Sequence, residues 1–117
     1  MTDEHPNIQR IRRVLDEQGG IYSWEDILAE LEAGTLQSFT EGSSSVFTSI
    51  RQYPRKKVLD VRLAVGTLDE IYAIQPRVVA FAKEQGCDLL QAFGRHGWLG
   101  VKTPGWERVA SVYIRRL

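Results

Sequence analysis

The stretch from Lys57 to Cys87 constrains the fold more than any other, because it reads as a strand, a tight turn and a helix in immediate succession. From Lys57 to Val65 the residues Leu59, Val61, Leu63 and Val65 alternate with Asp60, Arg62 and Ala64, the period of a strand with one apolar face. Gly66 breaks the run. Thr67-Leu68-Asp69-Glu70 then fits a capping box, in which the Thr67 hydroxyl accepts from the Glu70 amide and the Glu70 carboxylate accepts from the Thr67 amide. The helix that follows carries Leu68, Ile71, Tyr72, Val78, Val79, Phe81 and Ala82 as one broad apolar stripe, and Gly86 suits the position just past its end. Pro76 lacks the amide that the helical ladder needs, which predicts a kink or a split there. A strand that enters a helix through so short a turn leaves backbone amides at the helix start, where an anion can sit.

The rest of the chain arranges itself around this unit. Ile8, Ile11 and Leu15 predict a first helix from Asn7 to Gln18, stopped by Gly19-Gly20. Ser23 caps a second helix with Trp24, Ile27, Leu28 and Leu31 on one side and Gly34 at its end. Leu36 to Thr40 and Ser45 to Tyr53 read as strands joined by the turn Glu41-Gly42-Ser43-Ser44, and Pro54-Arg55 returns the chain into Lys57 to Val65. The three strands predict an antiparallel meander. Asp88 to Phe93 follows the long helix as a short buried strand, parallel to the one that ends at Val65. The segment from Gly94 to Glu107, with four glycines, two tryptophans and a proline, predicts an irregular region. Val109 to Arg116 alternates again, with Ala110, Val112 and Ile114 set against Ser111, Tyr113 and Arg115, and predicts a final strand.

The fold class is therefore α/β in the broad sense, an α+β domain spanning residues 1–117. It has a mixed, mostly antiparallel central sheet, two N-terminal helices and one long central helix. A chain of 117 residues with 43% hydrophobic and 26% charged residues buries a core without metals or disulfides. Lys plus Arg equals Asp plus Glu at 15 each, so no overall charge draws the molecule to nucleic acid or membrane. Arg51, Arg55, Lys56, Lys57 and Arg62 form a local basic group, read as a solvated hairpin turn and set against a phosphate-binding alternative. Cys87 is the single cysteine, which excludes an internal disulfide and fits a reducing compartment. No apolar run approaches membrane-spanning length, so we expect a cytoplasmic protein, in a host cell or carried into a virion. His5 and His96 have no ligand-spaced neighbours, and no metal site is expected.

The order of elements, with a long helix leaving the third meander strand, resembles the GCN5-related N-acetyltransferases (GNAT). Ala82-Lys83-Glu84-Gln85-Gly86-Cys87 before an apolar strand looks like the end of that family's central helix. Gly94-Arg95-His96-Gly97-Trp98 and the later Gly105-Trp106 look like small bacteriophage-encoded members, in which a Gly-Arg-x-Gly-Trp segment replaces the usual fourth helix. The resemblance implies a site for acetyl-CoA at the strand-to-helix turn, with Arg62, Val65, Gly66, Thr67 and Leu68 as its cofactor-binding residues. The family loop carries two small residues where this chain has one glycine, Gly66, beside Val65 and Thr67. Asp69 and Glu70 at the helix start also repel an anion. The family's leaving-group tyrosine has no counterpart between His96 and Lys102.

One carboxyl and one imidazole group remain as catalytic candidates. Asp60 on the polar strand face is a candidate general base, or a cross-strand partner of Arg51 or Arg62. His96 is a second candidate base, or a turn residue facing solvent. Arg95, Trp98 and Trp106 are candidate partner-binding residues, since arginine and tryptophan anchor binding surfaces. The same residues suit a structural role, with the indoles pinning an irregular loop to the sheet. Two main functions follow, with nucleic-acid binding through the Arg51 to Arg62 group as a third reading. The first is a phage-type protein that kept the fold with a degenerate cofactor loop and works by protein binding, as a virion component or accessory factor, with other phage or host proteins as partners. The alternative is an active acyl-CoA-dependent N-acyltransferase that acetylates an amine.

Overall fold

The computed structural model describes residues 7–92, 105–107, 109–110 and 112–117. Helix α1 (Ile8–Glu17) buries Ile11 and Leu15 and leaves its arginines outside. Asn7 precedes it without capping it; its side-chain amide instead donates to the Ser43 carbonyl, which ties the helix start to a distant turn. Helix α2 (Trp24–Ala33) opens with a complete capping box between Ser23 and Asp26 and closes on Gly34 in the left-handed region, φ 81°. Both helices form where the apolar spacing and the glycine stops place them.

Strands β1 (Gln37–Glu41), β2 (Ser44–Gln52), β3 (Lys57–Val65) and β4 (Leu89–Ala92) lie side by side in that order. The first three form the expected antiparallel meander, and β4 runs parallel to β3. Helix α3 (Leu68–Glu84) makes the crossover between β3 and β4.

The strand alternation read in β3 does not continue to its end. The register with β2 slips between Phe47 and Thr48, so that Phe47 faces Leu63 while Thr48 faces Val61, and Arg62 has no partner of its own. This bulge puts Arg62 and Leu63 on the same face and exchanges the faces beyond it. Leu59 and Val61 therefore pack toward α3 with Val46, Ile74, Val78 and Ala82. Leu63 and Val65 pack on the other side with Phe47, Ile11, Trp24 and Ile27. A strand read as one-sided thus feeds two cores, each buried aliphatic side chain contributing roughly 2 kcal/mol.

Two expectations for α3 are met only in part. Of the kink or split expected at Pro76, the split does not occur, since the helix runs as one element from Leu68 to Glu84. Pro76 itself is exposed. The capping box is half formed: the Thr67 hydroxyl accepts from the Glu70 amide at 3.4 Å, but the Glu70 carboxylate turns elsewhere. A correction falls at the C-terminal end. The described residues from Val109 to Leu117 are not in a strand, and they lie exposed.

Candidate functional site

The turn that joins β3 to α3 is built from Val65, Gly66, Thr67 and Leu68, and Val65 is anchored in the α1–α2 core. Gly66 has φ 130°, a conformation that L-residues seldom adopt, and a Cβ there would stand 1.9 Å from Ser44 Oγ and 2.7 Å from Ser44 Cα. Ser44 therefore fills the space beside the turn. Its hydroxyl accepts from the Thr67 amide at 2.9 Å and donates to Glu70 Oε1 at 2.6 Å. The same carboxylate oxygen accepts from the hydroxyls of Ser43 at 3.2 Å and Thr67 at 3.3 Å. Gly42, φ 57°, lets it come this close; a Cβ on Gly42 would lie 1.9 Å from Glu70 Oε2. Donation from Ser44, with help from Ser43 and Thr67, lowers the Glu70 pKa below the usual glutamate value.

An anion already sits at the start of α3, and it is the protein's own. The residues present do not fit a pyrophosphate there: the Thr67 and Glu70 amides donate to hydroxyls, and the Glu70 charge lies beside them. Leu68, counted among the cofactor residues, is partly exposed at the helix start.

Arg62 does not face this turn. Its guanidinium reaches α2, with Nη1 at 3.2 Å and Nη2 at 3.0 Å from the two Glu30 carboxylate oxygens, and it stacks over the Tyr22 ring with Cζ 4.5 Å from the centroid. It also donates to Ser49 Oγ at 3.3 Å. Burial opposes the charge, but the Glu30 carboxylate more than restores it and raises the pKa. The bulge is thus held by a forked ion pair, a geometry that arginine provides and lysine does not.

Asp60 is buried on the same sheet face. Its Oδ2 is 3.1 Å from Arg51 Nε, and Oδ1 accepts from Gln91 Nε2 of β4 at 3.2 Å. Burial raises its pKa, with the positive charges of Arg51 and Arg62 working against that rise. The carboxylate has the pairing with Arg51 foreseen for it and keeps a proton more readily than an exposed aspartate. Asp60 and Gly66 are separated by about 20 Å of extended strand, so the candidate base and the turn form two sites.

His96, Arg95 and Trp98 lie outside the described residues, while Trp106 is half-buried. In the basic group, Arg51 and Arg62 are ion-paired and Lys57 Nζ donates to the Gln85 carbonyl, leaving Arg55 and Lys56 exposed at the hairpin turn. Cys87 is partly buried against the α3-side core. Among the described residues no cluster suits a metal ion and no helix is long and apolar enough to cross a membrane. Sequence reasoning missed Ser43, Ser44 and Glu30. The serine run after Gly42 was the available signal, since hydroxyls in a hairpin turn suit a nearby helix start.

No protein-family profile and no curated protein sequence matches the chain. Solved structures do. The chain is similar to an aminoglycoside acetyltransferase from an uncultured soil metagenomic sample, crystallised with trehalose, at 11% identity and a TM-score of 0.61; the match covers 99% of this chain and 92% of that one. A probable acetyltransferase matches at 8% identity and the same TM-score of 0.61, over 100% of this chain and 96% of its own. The fold is that of the GNAT-like acetyltransferases, a mixed α+β fold with three helices and a four-stranded, mostly antiparallel sheet among the described residues.

Proposed function

We propose that this chain uses an acetyltransferase-like fold as a protein-binding scaffold, as a phage-type virion component or accessory factor whose cofactor cleft is closed by its own side chains. The supporting observation is the Glu70 carboxylate, which accepts hydroxyls from Ser43, Ser44 and Thr67 where a transferase presents amides to the cofactor phosphates. A bound pyrophosphate would have to expel a carboxylate, break the Ser44–Thr67 contact and accept the repulsion of Asp69. The partners in this reading are other phage or host proteins, held in part by Trp106 and by the Arg95 and Trp98 segment.

Incubation with acetyl-CoA and a panel of amines, followed by the release of thiol, tests the catalytic half. The reading expects release no faster than in buffer. Cross-linking in an extract of the protein's source tests the other half, with a defined complex with another protein expected and an unattached chain contradicting it.

One observation favours the alternative of an acyl-CoA-dependent N-acyltransferase. Asp60 is a buried carboxylate with a raised pKa on the central strand, a property found at acid-base sites. Its burial gives the raised pKa a structural cause, and its pairing with Arg51 and Gln91 gives the carboxylate a structural role.

A further inference from the structure

The first two strands of the sheet are unequal. β1 has five residues and β2 has nine, and the pairing between them ends with Gln37 opposite Thr48. The rest of β2, from Ser49 to Gln52, pairs with β3 alone. The Tyr53 amide donates to the Lys56 carbonyl at 2.8 Å, so Tyr53 turns its main chain toward β3, as do Arg51 and Ser49 at the strand period of two. Ile50 and Gln52 therefore turn theirs outward. The other arm of the hairpin agrees: Lys57, opposite Gln52, accepts at its carbonyl from the Asp88 amide at 2.7 Å, on the side away from β2. Among the described residues no main-chain group meets Ile50 or Gln52 on the outer edge, which leaves two donors and two acceptors in a row. The side chains around that edge carry one sign. Residues 51–56 are all exposed and hold Arg51, Arg55 and Lys56 with no carboxylate among them. Arg51 uses only its Nε on Asp60 and its side chain is half exposed, so the terminal nitrogens remain for a second carboxylate.

We propose that the outer edge of β2 from Ile50 to Gln52 takes a short acidic peptide of another protein as an added antiparallel strand, in line with β1. The inference rests on the protein-binding reading above and names the class of partner. Main-chain bonds to Ile50 and Gln52 supply the affinity, and alternate side chains supply the selectivity. Ile50 borders the α3-side core, so the residue opposite it is apolar. Arg51 points to the other face, so the residue opposite it is an aspartate or glutamate, with further carboxylates running on toward Arg55 and Lys56. A second copy of the chain does not fit. The pairing that uses both Ile50 and Gln52 sets Arg51 directly opposite its own symmetry mate, and like charges so placed repel. A nucleic acid fits less well than a peptide, because it engages the cations and leaves the main-chain groups of the edge unpaired, and the chain has no net charge to draw one in.

Titration of the full chain, followed by amide NMR, tests the proposal with a short capped peptide that alternates glutamate with valine. Shifts are expected along residues 50–56, with the Ile50 and Gln52 amides open to exchange in the free chain and protected in the complex. Gln52→Pro removes one outward donor and leaves the β2–β3 ladder intact, since proline is tolerated on an open edge. It should weaken binding by at least about tenfold with an unchanged far-ultraviolet spectrum. Arg55→Glu combined with Lys56→Glu, both exposed and outside any ion pair, should weaken it to a similar degree. The same peptide with alternate amides methylated should not bind. No binding of the unmethylated peptide at millimolar concentration overturns the proposal. So does binding that Gln52→Pro or methylation leaves intact, which is the behaviour of charge alone, and so do Ile50 and Gln52 amides already protected in the free chain. A single-stranded oligonucleotide that shifts the same residues more strongly than the peptide overturns it too. Release of thiol from acetyl-CoA would end the scaffold reading without altering these shifts, so the two fail separately.

Discussion

Two carboxylates on one strand–turn–helix unit sit in opposite surroundings. Asp60, in the middle of β3, is buried between Arg51 and Gln91, and burial raises its pKa. Glu70, one turn into α3, is held by three hydroxyls at the molecular surface, and those bonds lower its pKa. The first is an acid costly to ionise, the second an anion already solvated by the protein. The difference teaches that the helix start, the place where the fold most readily accepts a negative ligand, is the place this chain has filled.

The largest expected effect breaks the close packing that allows the filling. Gly66→Ala puts a Cβ against Ser44 and into a backbone conformation unfavourable for alanine, and should cost about 3 kcal/mol in denaturant unfolding. Gly20→Ala is the control. With φ 66° but nothing within 4 Å, it should cost only the backbone part, about 1 kcal/mol. Next, Arg62→Ala strips the bulge of its forked pair and leaves Glu30 beside Tyr22 without a cation, at about 2 kcal/mol by the same measurement. Recovery with Arg62→Lys should be incomplete.

The two carboxylates are then separated by pH. Because the folded pKa of Asp60 is raised, the native state binds the proton more tightly. Stability from this group is greatest below the ordinary aspartate pKa and falls as pH rises through the raised one. Asp60→Asn should remove that fall, seen as a flatter curve of unfolding midpoint against pH in the acid range. Glu70 has the reverse sign. Its folded pKa is lowered, so its contribution is present above the ordinary glutamate pKa and is lost as pH drops through the lowered value. Glu70→Gln should therefore melt slightly below wild type at neutral pH and together with it in strong acid, the smallest of these effects because the group is exposed.

Local chemistry made much of this legible. The capped start of α2 at Ser23, the apolar spacing of Ile11 and Leu15, and the strand-to-helix step at Gly66 are each decided by residues near in sequence, and each stands where the pattern put it. The features that differed depend on partners far along the chain. The bulge at Arg62 is held by Glu30 of α2, and no alternation within β3 reveals a residue whose counter-ion is 32 positions away. Glu70 leaves the Thr67 amide because Ser44, 26 positions earlier, takes its place. Pro76 stands in an unbroken helix and is itself exposed. The closing stretch shows the limit from the other side. Val109 to Arg116 has the alternation of a strand, but a strand also needs an edge to pair with, and alternation within the segment does not supply one.

Calorimetric titration of the wild-type protein with acetyl-CoA, with desulfo-CoA as a control at moderate salt, tests the central claim most directly. A helix start already occupied by Glu70 predicts no heat of binding for either ligand at high concentration. Micromolar binding of acetyl-CoA that disappears on replacing Gly66 with a bulky residue, in a protein that remains folded, would contradict it.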